Sequence, residues 1–124
     1  MHILYIGIFG GLGCVARHQV SGWIYSCTGR ALPYGTLGVN IIGSLLLGVV
    51  LEFILRSTVI SDDLRLGICV GFMGGFTTFS TFAYESWFLL ESGQWLAAGA
   101  NVMLNVGLCL LGTAAGIVVV RLMI

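Results

Sequence analysis

Lysine is absent from this 124-residue sequence, and charged residues of every kind make up only 8% of it. A soluble domain of ordinary make-up is about a quarter charged and about half apolar, so a chain that is 58% hydrophobic has too little polar surface to cover itself in water. With five arginines and zero net charge, it also lacks the basic patch that nucleic-acid binding needs. Histidine occurs twice, as His2 and His18, which leaves no Ser/His/Asp set and no metal-ligand spacing. The glycine fingerprint GxGxxG is missing, and the GGLG at residues 10–13 lies in an apolar run with no βαβ context. Cys14, Cys27, Cys69 and Cys109 form no CxxC pair, and three of them fall in apolar stretches. They read as small packing residues rather than as a disulfide or metal framework. Catalytic chemistry has nowhere to start, and the chain reads as a non-enzyme.

What the sequence does have is length of apolar run. Four stretches, about 3–25, 35–55, 64–90 and 95–120, each reach the ~20 residues that a helix needs to cross a ~30 Å hydrocarbon core. The reading is an all-α membrane protein, a single transmembrane domain over residues 1–124 with three short connections. Residues 1–25 do not read as a cleavable signal peptide, because no Lys or Arg precedes a run that is already long enough to span. With no targeting extension on so short a chain, the plasma membrane of a prokaryote is the expected location. Four spans put the N-terminus, the second connection and the C-terminus on one side, with Arg56, Arg65 and Arg121; the other side has Arg30 and the boundary residue Arg17. Three against two gives the positive-inside rule little to act on, which permits insertion in both orientations and is equally what a chain with few charges shows by chance.

Each span carries one polar or small-residue face. In the first, Gly7, Gly10, Gly11, Cys14, Arg17, His18 and Ser21 follow one side at helical spacing, a face for close helix packing that ends in a basic cluster. Arg17 either snorkels to the interface or faces a wet vestibule. In the second, Thr36, Asn40, Gly43 and Ser44 share a side, and the Asn40 amide must meet another helix or water. Glu52, near that helix's end, reads as an interfacial carboxylate. In the fourth, Asn101, Asn105, Gly112 and Gly116 lie within a narrow arc.

The third span holds GGFTTFSTF, Gly74 to Phe82, and does not read as a plain helix. Gly71, Gly74 and Gly75 weaken it, and Thr77 and Thr78 offer the backbone competing hydrogen bonds, so a break is expected near residues 74–78. Irregular backbone at membrane depth is tolerated only where it is buried in protein or lines a cavity; freed carbonyls there suit a small cation, and the next half-helix N-terminus suits an anion. Beyond the break, Phe79 and Phe82 point the same way, and Ser80, Thr81 and Glu85 form a hydrogen-bonding strip. Ordinary packing explains two phenylalanines by spacing. Ring edges that line an anion path explain them in this company, because an aromatic ring has a positive edge. Glu85 is the only deep carboxylate, so a small proton-coupled exporter, which depends on such a group, is the rival function. A non-transporting packing subunit of a larger membrane complex is a third.

The motifs resemble those of the Fluc fluoride channels, also called CrcB proteins, along the whole chain. They are GGLGCVARH (Gly10 to His18), PxGTLxVN (Pro33 to Asn40), GGFTTFSTF with Glu85 three residues on, and ANVMLNVGL (Ala100 to Leu108). The resemblance implies an antiparallel, dual-topology homodimer in the lipid bilayer, with two passive fluoride pores that relieve fluoride toxicity. It implies a structural sodium ion (Na+) held by the backbone carbonyls of Gly74 and Thr77. It further implies a fluoride pathway of Phe79 and Phe82, the hydroxyls of Ser80, Thr81 and Thr36, the Asn40 amide, Glu85 and the vestibule Arg17, with Asn105 beside it. Asn101 stands where many members carry tyrosine.

Overall fold

The computed structural model describes all 124 residues as helices joined by short turns. They are α1 (His2–Thr28), α2 (Tyr34–Arg56), α3 (Asp62–Leu66), a π-helical segment (Gly67–Phe72), α4 (Met73–Phe76), α5 (Phe79–Glu91) and α6 (Trp95–Met123). Segments α3 to α5 follow one another as a single span, so four helices are long and apolar enough to cross a membrane: His2–Thr28, Tyr34–Arg56, Asp62–Glu91 and Trp95–Met123. The expected spans lie inside these bounds, and the observed helices run a few residues further at their ends.

Two packed pairs make the bundle. The most apolar helices, α2 and α6, lie along each other, while α1 packs on the π-helical segment and α4. Both contacts depend on missing side chains. A Cβ on Gly48 of α2 would sit 2.5 Å from the Thr113 carbonyl oxygen of α6, and one on Gly75 of α4 would sit 2.6 Å from the Gly10 carbonyl oxygen of α1. Without a hydrophobic drive between helices in lipid, such backbone approaches carry the association. The expected single glycine face of α1 is in fact divided. Gly10 and Gly13 meet Gly71 and Phe72, whereas Gly7 and Gly11 face open space.

The third span departs from α geometry twice. Over Gly67–Phe72 the bonds lengthen by one residue, so that the Met73 N–H bonds the Ile68 carbonyl. The break then falls at Thr77 and Thr78 alone, both extended (φ −93°, ψ 158° and φ −149°, ψ 114°). The break expected near residues 74–78 is thus found at the end of that window, with Gly74 and Gly75 still helical. Gly75 is there for the contact with α1 rather than to end the helix.

At the bundle end shared by the N-terminus, the second connection and the C-terminus, ion pairs tie the helices together. His2 pairs with Asp63, Arg65 lies 3.5 Å from Asp62, and Glu52 accepts from both Arg56 (2.9 Å) and Arg121 (2.8 Å). Glu52, expected as an interfacial carboxylate, is buried at 8% exposure near the end of α2 and fastens α2 to α6, so it also acts as a clamp.

Candidate functional site

A broken helix leaves backbone groups without partners, and at membrane depth these must be satisfied within the protein. Asn40 of α2 does this for Thr78: its Nδ2 donates to the Thr78 carbonyl at 3.1 Å, and its Oδ1 accepts from the Thr78 N–H at 2.9 Å. The side-chain amide thus takes the place of a neighbouring peptide. Thr78 also caps α5, because its hydroxyl accepts the Thr81 N–H at 3.3 Å and donates to the Thr81 hydroxyl at 2.9 Å.

The break frees the carbonyls of the turn before it. In a continuous helix those of Gly74, Gly75, Phe76 and Thr77 would take the N–H groups of Thr78, Phe79, Ser80 and Thr81. Asn40 and the Thr78 hydroxyl receive the first and last of these donors instead, and all four carbonyls, those of Gly74 and Thr77 among them, are released from helical bonds. Gly74 is exposed with nothing within 4 Å of the position of a Cβ. No cluster of three His, Cys, Asp or Glu side chains elsewhere offers a metal site.

The first turn of α5 presents Phe79 and Phe82 edge to face, ring centroids 5.2 Å apart at 65°. Phe82 is buried and Phe79 is 77% exposed. Both rings line a cavity of about 430 Å³ with Asn40, Asn105, Thr77, Thr78, Ser44, Thr113 and aliphatic residues of α2 and α6. None of its lining residues is charged.

An amide chain runs from this groove into the protein. Asn40 Nδ2 donates to Asn105 Oδ1 at 3.1 Å, Asn105 Nδ2 donates to Asn101 Oδ1 at 3.0 Å, and Asn101 Nδ2 donates to the Ser86 hydroxyl at 2.8 Å. Ser86 closes it on the Phe82 carbonyl at 2.8 Å. All four side chains are buried, and no buried side-chain polar atom lacks a partner. Asn101 therefore acts as a link inside the protein and lines none of the groove.

Behind the groove, a smaller cavity of about 180 Å³ is lined by Arg17, His18, Ser21, Thr36, Thr78 and Thr81. Arg17 thus faces a polar vestibule. Thr36 donates to Glu85 Oε1 at 2.5 Å, and Tyr25 of α1 donates to Glu85 Oε2 at 3.3 Å. Glu85 and Tyr25 line a third cavity, of about 330 Å³, where the Arg30 guanidinium sits 4.6 Å from the Tyr25 ring centre.

The structure therefore brings Phe79, Phe82, Asn40 and Asn105 to one groove, and Arg17, Thr36 and Thr81 to the vestibule. Ser80 is exposed and lines neither. The expected strip is split, because Thr81 bonds Thr78 while Glu85 bonds Thr36 and Tyr25. Sequence reasoning missed Tyr25, Ser86 and the Arg30 stack. Ser86, one residue beyond Glu85, carried a visible signal as a hydroxyl in an apolar run.

An unwound turn at membrane depth beside an uncharged polar groove defines a small polytopic membrane protein of the kind in which transport proteins place ion sites. The chain belongs to the CrcB family: the family model described as "CrcB-like protein, Camphor Resistance (CrcB)" matches residues 4–117. It is 59% identical over 121 residues to the "Fluoride-specific ion channel FluC" of Syntrophotalea carbinolica, covering 98% of each chain. Proteins of the same name from Geotalea daltonii and Geobacter sulfurreducens are each 54% identical over 119 residues, with 96% of each chain covered. Four spans and bacterial relatives make this a multi-pass protein of a prokaryotic plasma membrane, and the family lies outside the enzymes.

Proposed function

We propose that the protein is a passive, fluoride-selective channel through which the membrane potential drives fluoride out of the cell. The observation that carries this reading is the lining of the groove at the break: aromatic rings, amides and hydroxyls, with no charged side chain. A small anion leaving water needs donors and positive edges, and it must be held weakly enough to leave again. Phe79 and Phe82 supply the aromatic rings, the Asn40 amide would serve the ion by turning one of its two N–H groups away from Thr78 or Asn105, and Arg17 in the adjoining vestibule raises the local anion concentration. The printed name of the relatives points to the same ion. A carboxylate-driven exporter is the weaker reading, since Glu85 lies outside the groove with both oxygens engaged by Tyr25 and Thr36.

The groove is open along one side of a single chain, and Phe79 is left exposed beside it. We infer that a second copy, inserted the other way up, covers it; the near balance of arginines between the two sides allows one sequence to adopt both orientations. The freed Gly74 and Thr77 carbonyls fit a sodium ion, being hard oxygen donors released from their helical bonds. Two are too few for a cation, so each copy would contribute its pair. Bound there, sodium would supply a fixed positive charge and a bond between subunits. Fluoride that enters as its neutral weak acid dissociates and is trapped as the anion, and a passive path relieves that trap without ATP or proton coupling.

The test is efflux from vesicles that contain only this protein and a potassium ionophore. Fluoride leaves and chloride does not. Absence of fluoride efflux, or equal chloride efflux, overturns the assignment. Replacing sodium by a bulky organic cation throughout purification and assay abolishes flux if the cation is structural.

A further inference from the structure

At the bundle end that holds the chain termini, His2 lies against Asp63 and Arg65 against Asp62, but Glu52 stands alone between Arg56 and Arg121. The cluster has a net charge of +1. Both arginines use Nε for the same carboxylate oxygen, at 2.9 and 2.8 Å, so the two guanidiniums are held side by side. Their terminal Nη groups make no hydrogen bond to the protein, and the side chains are 40% and 59% exposed. Arg56 is the last residue of α2 and Arg121 lies in the last turn of α6, at the level where the spans meet the headgroups.

We propose that Arg56 and Arg121, preset by Glu52, form a binding site for the phosphate of an anionic phospholipid headgroup. A guanidinium whose Nε is already bound keeps its two Nη donors in fixed directions, and a phosphate oxygen pair matches two such forks. The buried carboxylate orients the arginines before the ligand arrives, so less side-chain freedom is lost on binding. Exposed apolar side chains flank the pair, with Phe53 and Leu55 on α2 and Leu122 and Met123 on α6, and acyl chains can lie against these. A soluble phosphate would meet the same guanidiniums without that apolar surround. This site is separate from the groove and does not depend on which ion the groove conducts.

Native mass spectrometry of the full-length protein, titrated with phosphatidylglycerol or phosphatidylcholine, tests it. Wild type retains phosphatidylglycerol in preference to phosphatidylcholine. Arg56→Gln and Arg121→Gln each weaken that retention about fivefold, the scale of one basic residue at an anionic surface. Glu52→Gln, which removes the negative charge that holds both guanidiniums, keeps a preference for phosphatidylglycerol but a smaller one. Equal retention of the two lipids by the wild type, or unchanged retention in both arginine variants, overturns the proposal. An unchanged or larger preference in Glu52→Gln overturns the presetting by Glu52, because two basic residues attracted without fixed geometry would give that result. Inorganic phosphate at millimolar concentration leaves the lipid in place; displacement would reassign the site to a free phosphate.

Discussion

The two halves of the third span are held by different means. The first half, α3 through α4, is fixed by shape: Gly71 and Gly75 let its backbone touch that of α1, and a single set of backbone atoms fits. The second half, α5, is fixed by polar side chains reaching from every other helix, namely Tyr25 from α1, Thr36 and Asn40 from α2, and Asn101 from α6. Backbone contact of the first kind leaves no room for adjustment and no polar surface. Side-chain hydrogen bonds of the second kind hold a helix at a distance, and the space between is what becomes a lined path. The rigid half is a footing for the half that carries the site.

Substitutions that attack one half and spare the other test this contrast. The largest effect is expected from Gly75→Val, whose Cβ meets the Gly10 carbonyl oxygen at 2.6 Å. Backbone cannot yield as a side chain can, so the loss reaches ~3 kcal/mol or more, read as a collapse of folded yield and melting temperature in detergent. Next comes Asn40→Leu, which leaves the Thr78 N–H unpaired and takes away one of the two partners of its carbonyl, at a cost of about 2–3 kcal/mol. Hydrogen exchange should then rise at residues 77–82 and stay unchanged over 67–76, while fluoride flux falls about a hundredfold, as ~2.7 kcal/mol implies. Equal loosening of both halves would remove the distinction.

Within the second half, Phe82→Ile and Phe79→Ile each remove a ring edge and keep an apolar side chain. Flux is expected to fall about fivefold in each, as the ~1 kcal/mol scale of aromatic edge contacts implies, with the melting temperature held within a few degrees. Unchanged flux in both would make the rings simple packing. The smallest effect belongs to Tyr25→Phe. Its hydroxyl reaches Glu85 at 3.3 Å while Thr36 still holds the other oxygen, so a loss of about 0.5–1 kcal/mol and a two- to fivefold change in flux are expected.

The same contrast separates what the sequence disclosed from what it concealed. Span positions were legible because apolar length is a local property, and the break was legible because Thr77 and Thr78 compete locally for backbone bonds. Its confinement to Thr77 and Thr78 was not. Gly71, Gly74 and Gly75 read as weakening the same stretch, yet the bond that selects Thr78 comes from Asn40, 38 residues earlier. The π-helical turn at Gly67–Phe72 likewise answers to α1 lying against it and leaves no periodic mark in the sequence. Glu52 read as an interfacial carboxylate, and its clamping role stayed hidden because Arg121, its second partner, is 69 residues away. For the groove, residue type and motif order named Phe79, Phe82, Asn40 and Asn105. Which hydroxyl faced which cavity depended on the rotation of α5, and this separated Ser80 from Thr81.

The pairing of Asn40 with Thr78 also sets an order of events during synthesis. A third span released alone into lipid has no acceptor or donor for an unwound Thr78, so its lowest-energy form there is a continuous helix. We infer that the kink appears only after that helix has come to rest against the second, which emerges from the ribosome first with its amide in place. The span would then insert as a straight rod and open afterwards, its broken shape acquired during assembly within the bilayer.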